Sequence, residues 1–250
     1  MKTLALVLLA GCGAQLGTSS NAQSNVDAAS GDSNTPPGID APVSSPDAAP
    51  TCANGRAVYL SFEGETLTQA TTTDSTQNHA AWIGVGTATV PAFHPGLTNR
   101  AQAIQTIVDG VKSRLAGTPI QVVTTRPASG PYVLVVLGGS NQDVGSTYTY
   151  ATSDHDCGDL VKNDVAWVSD APSLSYVPDL VVGAIGWSLG LQGTNDSGDC
   201  MCGWANSCSS NPGACTLSAS IATTPSSGNT TCAGQDPQNE VAAFSTQFCQ

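Results

Sequence analysis

The sequence predicts an α/β fold of the α+β kind, built on a mixed, partly parallel twisted sheet. Three observations predict it. Runs rich in β-branched and aromatic residues recur at 57–62, 120–125 and 132–137, an amphipathic helical pattern lies between the first two, and a long apolar stretch follows later. A strand, a crossover helix and a second strand imply parallel neighbours in one sheet. The 250 residues, 40% of them hydrophobic, are enough for one substantial core, and 26 Gly with 15 Pro indicate many turns.

The N-terminus reads as a processing segment. Lys2 followed by Leu4-Ala5-Leu6-Val7-Leu8-Leu9 has the form of an export signal over residues 1–11, too short to span a bilayer as a mature helix. It ends in Leu9-Ala10-Gly11-Cys12, which resembles the bacterial lipobox. That resemblance implies that Cys12 receives the lipid and becomes the first mature residue, with the membrane as a partner through its acyl chains. Gly13, where an Asp would resemble an inner-membrane retention signal, favours the outer membrane. The expected location is therefore the cell envelope, with the folded part outside the cytoplasm. Residues 12–51 are the lipid-anchored tether. From Gly13 onward they are mostly Ser, Ala, Asn, Asp, Gly and Pro, without an aromatic residue, Lys or Arg, a composition that stays disordered. Such a chain has a root-mean-square span of roughly 35 Å.

The first folded region is expected at 52–197. Ala57-Val58-Tyr59-Leu60-Ser61-Phe62 reads as its first strand. Ile104, Ile107, Val108, Val111 and Leu115 fall on one helical face, with Thr98 or Asn99 as N-cap and Gly117 just past the end. Residues 120–125 and 132–137 supply two further strands, and Asp164-Val165-Ala166-Trp167-Val168 another short one. Pro178 suits the first turn of a second helix. Val181, Val182, Ile185 and Leu189 make that helix apolar nearly all round, which places it at the centre of the core. Gly183, Gly186 and Gly190 each cost about 1 kcal/mol relative to Ala in a helix interior, so they imply close approach of another element.

From Gly183 to Thr194 the helix resembles the zinc helix of the metzincin metalloproteases, whose pattern is H-E-x-x-H-x-x-G-x-x-H. In that pattern three histidines hold zinc and the glutamate is the general base. Here the histidine positions fall on Gly183, Trp187 and Gly193 and the glutamate position on Ala184, so that of the motif only Gly190 remains. Met201, in the context Asp199-Cys200-Met201, is similar in spacing to the Met-turn of the matrixin branch. The order strand, helix, strand, strand, buried helix also matches that fold, and the resemblance covers most of 56–201. It implies a metalloprotease-like domain that has lost its zinc and its catalysis, a pseudoenzyme. Trp187 is expected to occupy space left by the imidazoles, and no metal or other cofactor is expected.

Other chemistry is sparse. Lys+Arg 7 against Asp+Glu 19 gives a net charge of −12, which repels a phosphate backbone and excludes nucleic acid as an expected partner. Cys12 aside, Cys52, Cys157, Cys200, Cys202, Cys208, Cys215, Cys232 and Cys249 form an even set, expected as disulfides and concentrated in a Cys-rich C-terminal subdomain at 198–250. Their pairing is open. His79, His94 and His155 show no metal spacing. Asp154-His155-Asp156 beside Asp159 reads as a solvated acidic loop rather than a hard-cation site. Ser61 and Ser188 lack a nucleophile context. Glu63 and Glu65 are expected to alternate along the end of the first strand and to share one face.

The expected function is a tethered, non-catalytic module that binds a peptide or protein, by strand addition at a sheet edge. The alternatives are a hydrolase with an unrecognised site, such as one using Glu63 and Glu65, and a structural envelope protein. The lipid reading has a direct check: Cys12→Ser should abolish incorporation of labelled palmitate. Palmitate uptake and membrane fractionation by that variant would contradict it.

Overall fold

The computed structural model describes residues 55–204, 215–224 and 236–249, together with Cys52, Cys208, Ser209, Cys232 and Gly234. The expected signal, Cys12 and the expected tether lie outside the described residues.

The chain enters through β1 (Ala57–Ser61), then forms β2 (Glu65–Gln69), β3 (His79–Ala80) and β4 (Thr87–Val90). Helix α1 (Arg100–Arg114) follows, with Asn99 at its N-cap, and leads to β5 (Gln121–Val123) and β6 (Tyr132–Leu137). A single turn, α2 (Asn141–Val144), precedes β7 (Ala151–Ser153) and β8 (Val165–Val168). Helix α3 (Val177–Ser188) is the apolar helix, and α4 (Glu240–Gln247) closes the chain.

Five strands form the central sheet in the order β5-β1-β6-β8-β7. The first four run parallel, and β7 lies antiparallel to β8 at one edge. A strand buried on both faces needs an apolar side chain at every position. β6 meets that condition: its six residues are all buried, with Val133, Val135 and Leu137 facing one core and Tyr132, Leu134 and Val136 facing another.

On the first face α1 presents Ile107, Val108 and Val111, and α3 presents Val181, Val182 and Ile185. The helices approach at Gly110, where a Cβ would lie 2.7 Å from Pro178 Cγ. Arg114 at the end of α1 holds Asp179 in the first turn of α3 at 2.5 Å, an ion pair that is almost fully buried. On the second face the three-stranded sheet β3-β2-β4 covers the central sheet through Leu67, Ala80, Ala88 and Val90.

The eight expected cysteines are all paired, as Cys52–Cys249, Cys157–Cys232, Cys200–Cys215 and Cys202–Cys208. Cys52–Cys249 closes 197 residues of sequence separation, and long closures of this kind contribute most in the chain-entropy account. Phe244 and Phe248 of the C-terminal segment stack on each other, and both belong to the core that α1 and α3 cover.

Two expectations are corrected. The chain turns at Gly64, with φ +85, so Glu63 and Glu65 do not alternate along one strand. Glu63 instead pairs with Arg100 at 2.9 Å, and Glu65 opens β2 and pairs with Arg126 at 2.8 Å. The acidic loop is not simply solvated either. Asp159 is fully buried between Arg56 at 2.8 Å and Lys162 at 2.7 Å, while Asp156 accepts from the Val161 N–H and Asp154 accepts from the Thr73 hydroxyl.

Next to this cluster Asp164 is 1% exposed, and neither carboxylate oxygen has a hydrogen-bond partner. Burial pushes its pKa from the ordinary 3.8 to about 8; Arg56 opposes the shift, and Asp159, Asp156 and Asp154 add to it. Glu240 is raised to about 8 by burial and by the charge of Asp199. The folded protein therefore keeps protons that the unfolded chain releases near pH 4. The stability these groups confer is complete below that pH and is lost as pH rises towards 8. Urea unfolding between pH 5 and 8 should show stability falling with pH, with a shallower slope in Asp164→Asn. An equal slope in the variant would contradict a neutral Asp164.

Candidate functional site

Helix α3 begins with Pro178 in its first turn and has Gly183 and Gly186 within it. Both glycines are sites of close approach. A Cβ on Gly183 would collide with the Trp204 indole and come within 2.8 Å of the Cys200 carbonyl oxygen. One on Gly186 would lie 2.6 Å from Met201 Sδ. Past the helix, Gly190 has φ +85, which L side chains avoid, and it packs against the Asp156 carbonyl and Cys157 Cα. Gly183 and Gly186 thus admit a loop against the helix and Gly190 admits a different segment, close approach of the kind the sequence implied.

That loop is the segment 199–204, and its conformation follows from its hydrogen bonds. Asp199 Oδ1 accepts from the Met201 N–H and the Thr194 hydroxyl, each at 2.8 Å, and Oδ2 accepts from the Ser218 hydroxyl. The Met201 carbonyl accepts from Thr194 N and Trp204 N, each at 3.2 Å. Met201 is fully buried beneath α3. Disulfides from Cys200 and Cys202 hold the chain on both sides of it, and the turn that ends at Trp204 delivers the indole to Gly183. Gly193 is buried, and its carbonyl accepts from Thr224 N at 2.7 Å. Ala184 is buried, and its carbonyl accepts from the Ser153 hydroxyl of β7 at 2.9 Å.

Trp187 is half-buried and packed between two rings. His155 lies on one side, with centroids 4.2 Å apart, and Trp204 on the other at 6.1 Å, nearly parallel. Trp187 was expected to occupy space left by the imidazoles; the space beside Gly183 holds the Trp204 indole, and Trp187 flanks it. Trp204 has a sequence signal only in hindsight, as the aromatic residue that closes Cys200-Met201-Cys202-Gly203.

Among the described histidines, His155 is the one that meets this helix. Its Nε2 lies 2.9 Å from Gln192 Nε2, and burial lowers its pKa. His155, Cys157 and Cys232 have potential ligand atoms within 4.8 Å of one another, but the two sulfurs are joined in a disulfide and offer no thiolate. His79 lies in β3, and His94 lies 3.9 Å from Asp170. Ser61 donates to Glu65, and Ser188 donates to the Ile185 carbonyl of its own helix. The carbonyl that Ser188 meets is no base, and the Glu65 carboxylate that Ser61 meets is held in an ion pair with Arg126.

Beside Trp187 and Trp204 a cleft of about 220 Å³ opens between α3 and β7. Tyr148 and Tyr150 form part of its lining, together with Ala151 of β7 and with Tyr176. The Thr147-Tyr148-Thr149-Tyr150 alternation before β7 is the signal that sequence reading missed. No protein family model matches this chain, and no curated protein matches it either.

The Gly183 contact generates a double-variant test. Gly183→Ala should cost about 1–3 kcal/mol of stability by overpacking. Combined with Trp204→Ala, it should cost clearly less than the two single losses added, because the smaller residue vacates the space that the new methyl needs. Additive losses in denaturant unfolding would mean that the indole does not occupy that space.

Proposed function

We propose that the chain is a lipid-anchored envelope protein whose domain is a catalytically inactive, metzincin-like scaffold that binds an extended peptide segment of another protein. Hydrolysis by a zinc-bound water needs converging ligands and a base. The corresponding positions here carry Gly183, Ala184, Trp187 and Gly193, none of which supplies an imidazole or a carboxylate. The frame around them supports common ancestry: a buried helix, a glycine turn at Gly190, and a buried methionine, Met201, in a turn below the helix.

The observation that carries the binding function is the open cleft alongside an edge strand. In an antiparallel pair, residues alternate between facing the partner strand and facing away. The Tyr150 carbonyl accepts from Ser169 N at 2.8 Å, so Tyr150 faces β8 and the next residue, Ala151, directs its N–H and carbonyl to the open edge. An added strand would use those groups, and its side chains would reach the cleft. A strand of only three residues exposes little edge to indiscriminate pairing, so the cleft must supply the selectivity.

Selection of random displayed peptides on the disulfide-intact domain should return extended binders that slow hydrogen exchange at the Ala151 amide. Ala151→Pro removes that donor from an edge position where proline is tolerated, and should weaken those binders by about three- to tenfold. Binders that protect a different surface and ignore Ala151→Pro would contradict strand addition.

A further inference from the structure

We infer that the cleft beside β7 receives a cationic side chain, lysine or arginine, from the bound segment; this rests on the peptide-binding reading above. Of the 5 Tyr and 4 Trp in the chain, Tyr148, Tyr150, Tyr176, Trp187 and Trp204 line this one cleft. That concentration is far beyond what packing needs, since Tyr148 is 55% and Tyr150 46% exposed. Among the described residues no charged side chain lines the cleft; the remaining side chains there are Thr, Ala, Leu and Cys.

Aromatic faces carry a negative quadrupole that attracts a cation, and the attraction grows as the cation is desolvated. Elsewhere the protein satisfies such faces with its own arginines: Arg56 lies over Phe248 at 4.4 Å and Arg126 over Tyr59 at 5.2 Å. Among the described residues these arginines and the other cations lie elsewhere: Arg56, Arg100, Arg114, Arg126 and Lys162 are paired with carboxylates of other regions, and Lys112 of α1 lines a different hollow. The chain as a whole carries −12, which draws a basic segment in and repels an acidic one. An aliphatic side chain would bury its carbons equally well but gain nothing from the ring faces or the charge. A sugar would stack on the rings, yet among the described residues the cleft has no carboxylate, amide or guanidinium side chain to bind its hydroxyls. A lysine or arginine uses both features, with its methylene stem along Leu180 and the indoles and its charged end over the rings.

The test uses the disulfide-intact domain and three blocked pentapeptides, acetyl-Thr-Val-X-Val-Thr-amide, with X as lysine, norleucine or glutamate. Affinities are read from the indole N–H signals of Trp187 and Trp204 during titration. The lysine peptide should bind about 3- to 30-fold more tightly than the norleucine peptide, and the glutamate peptide most weakly. Tyr148→Leu with Tyr150→Leu, which keeps apolar surface at two exposed positions, should bring the lysine-to-norleucine ratio towards one. Equal or tighter binding of norleucine overturns the cationic preference and leaves the peptide reading standing. If no peptide binds, strand addition fails, and butylammonium chloride decides the cleft chemistry. Saturable shifts at both indoles that butanol does not reproduce would support a cation site, and their absence would overturn it.

Discussion

Gly183 has no side chain, and the Trp204 indole lies where one would be. Much of the candidate site is arranged around that contact. To bring Trp204 there the chain must turn immediately after Met201, and Asp199 enforces the turn by accepting from the Met201 N–H and the Thr194 hydroxyl. Two disulfides then fix the backbone on either side. Trp187, a turn further along α3, stacks on the indole and packs against His155, and the two indoles line the cleft. A larger residue at 183 would displace the indole, and with it that lining.

The position of α3 depends in turn on burial. The helix is apolar around nearly its whole circumference because it is covered by the sheet, by α1 and by the loop through Met201. Its one buried carboxylate, Asp179, is matched by Arg114 and by the Cys215 N–H. Such a pair costs several kcal/mol per ion in desolvation, and breaking it leaves a charge buried alone, so it ties α1 and α3 to one mutual arrangement more than it adds net stability. The Arg56–Asp159–Lys162 group likewise ties the start of β1 to the loop before β8, and Arg56 also lies over Phe248 near the C-terminus.

The parts of the fold legible in the sequence are those with a strong apolar period. β1, β6, β8, α1 and α3 sit close to their expected places because each buries most of one face or all of its residues. β5 is shorter than its apolar run implied, since pairing with β1 extends only over Gln121–Val123. The second sheet was missed because β2 is Glu-Thr-Leu-Thr-Gln, with Leu67 its one buried residue. β7 was missed because Ala-Thr-Ser carries no apolar signal, although it forms the edge on which the site depends. The apolar stretch with its glycines marked a buried helix, and the glycines correctly implied close approach. Trp204 was not legible as the residue that approaches, because no local period links a loop residue to a distant helical glycine. The even set of cysteines was legible as disulfides, while their pairing required the fold.

The account holds that aromatic packing stands where metal ligands would be needed. Titration of zinc into the disulfide-intact domain, followed at the indole N–H signals of Trp187 and Trp204, measures this directly. The account predicts no saturable shift at either indole as one equivalent is added at micromolar concentrations. A one-equivalent transition at both indoles, reversed by phenanthroline, would contradict it and place a metal at the helix.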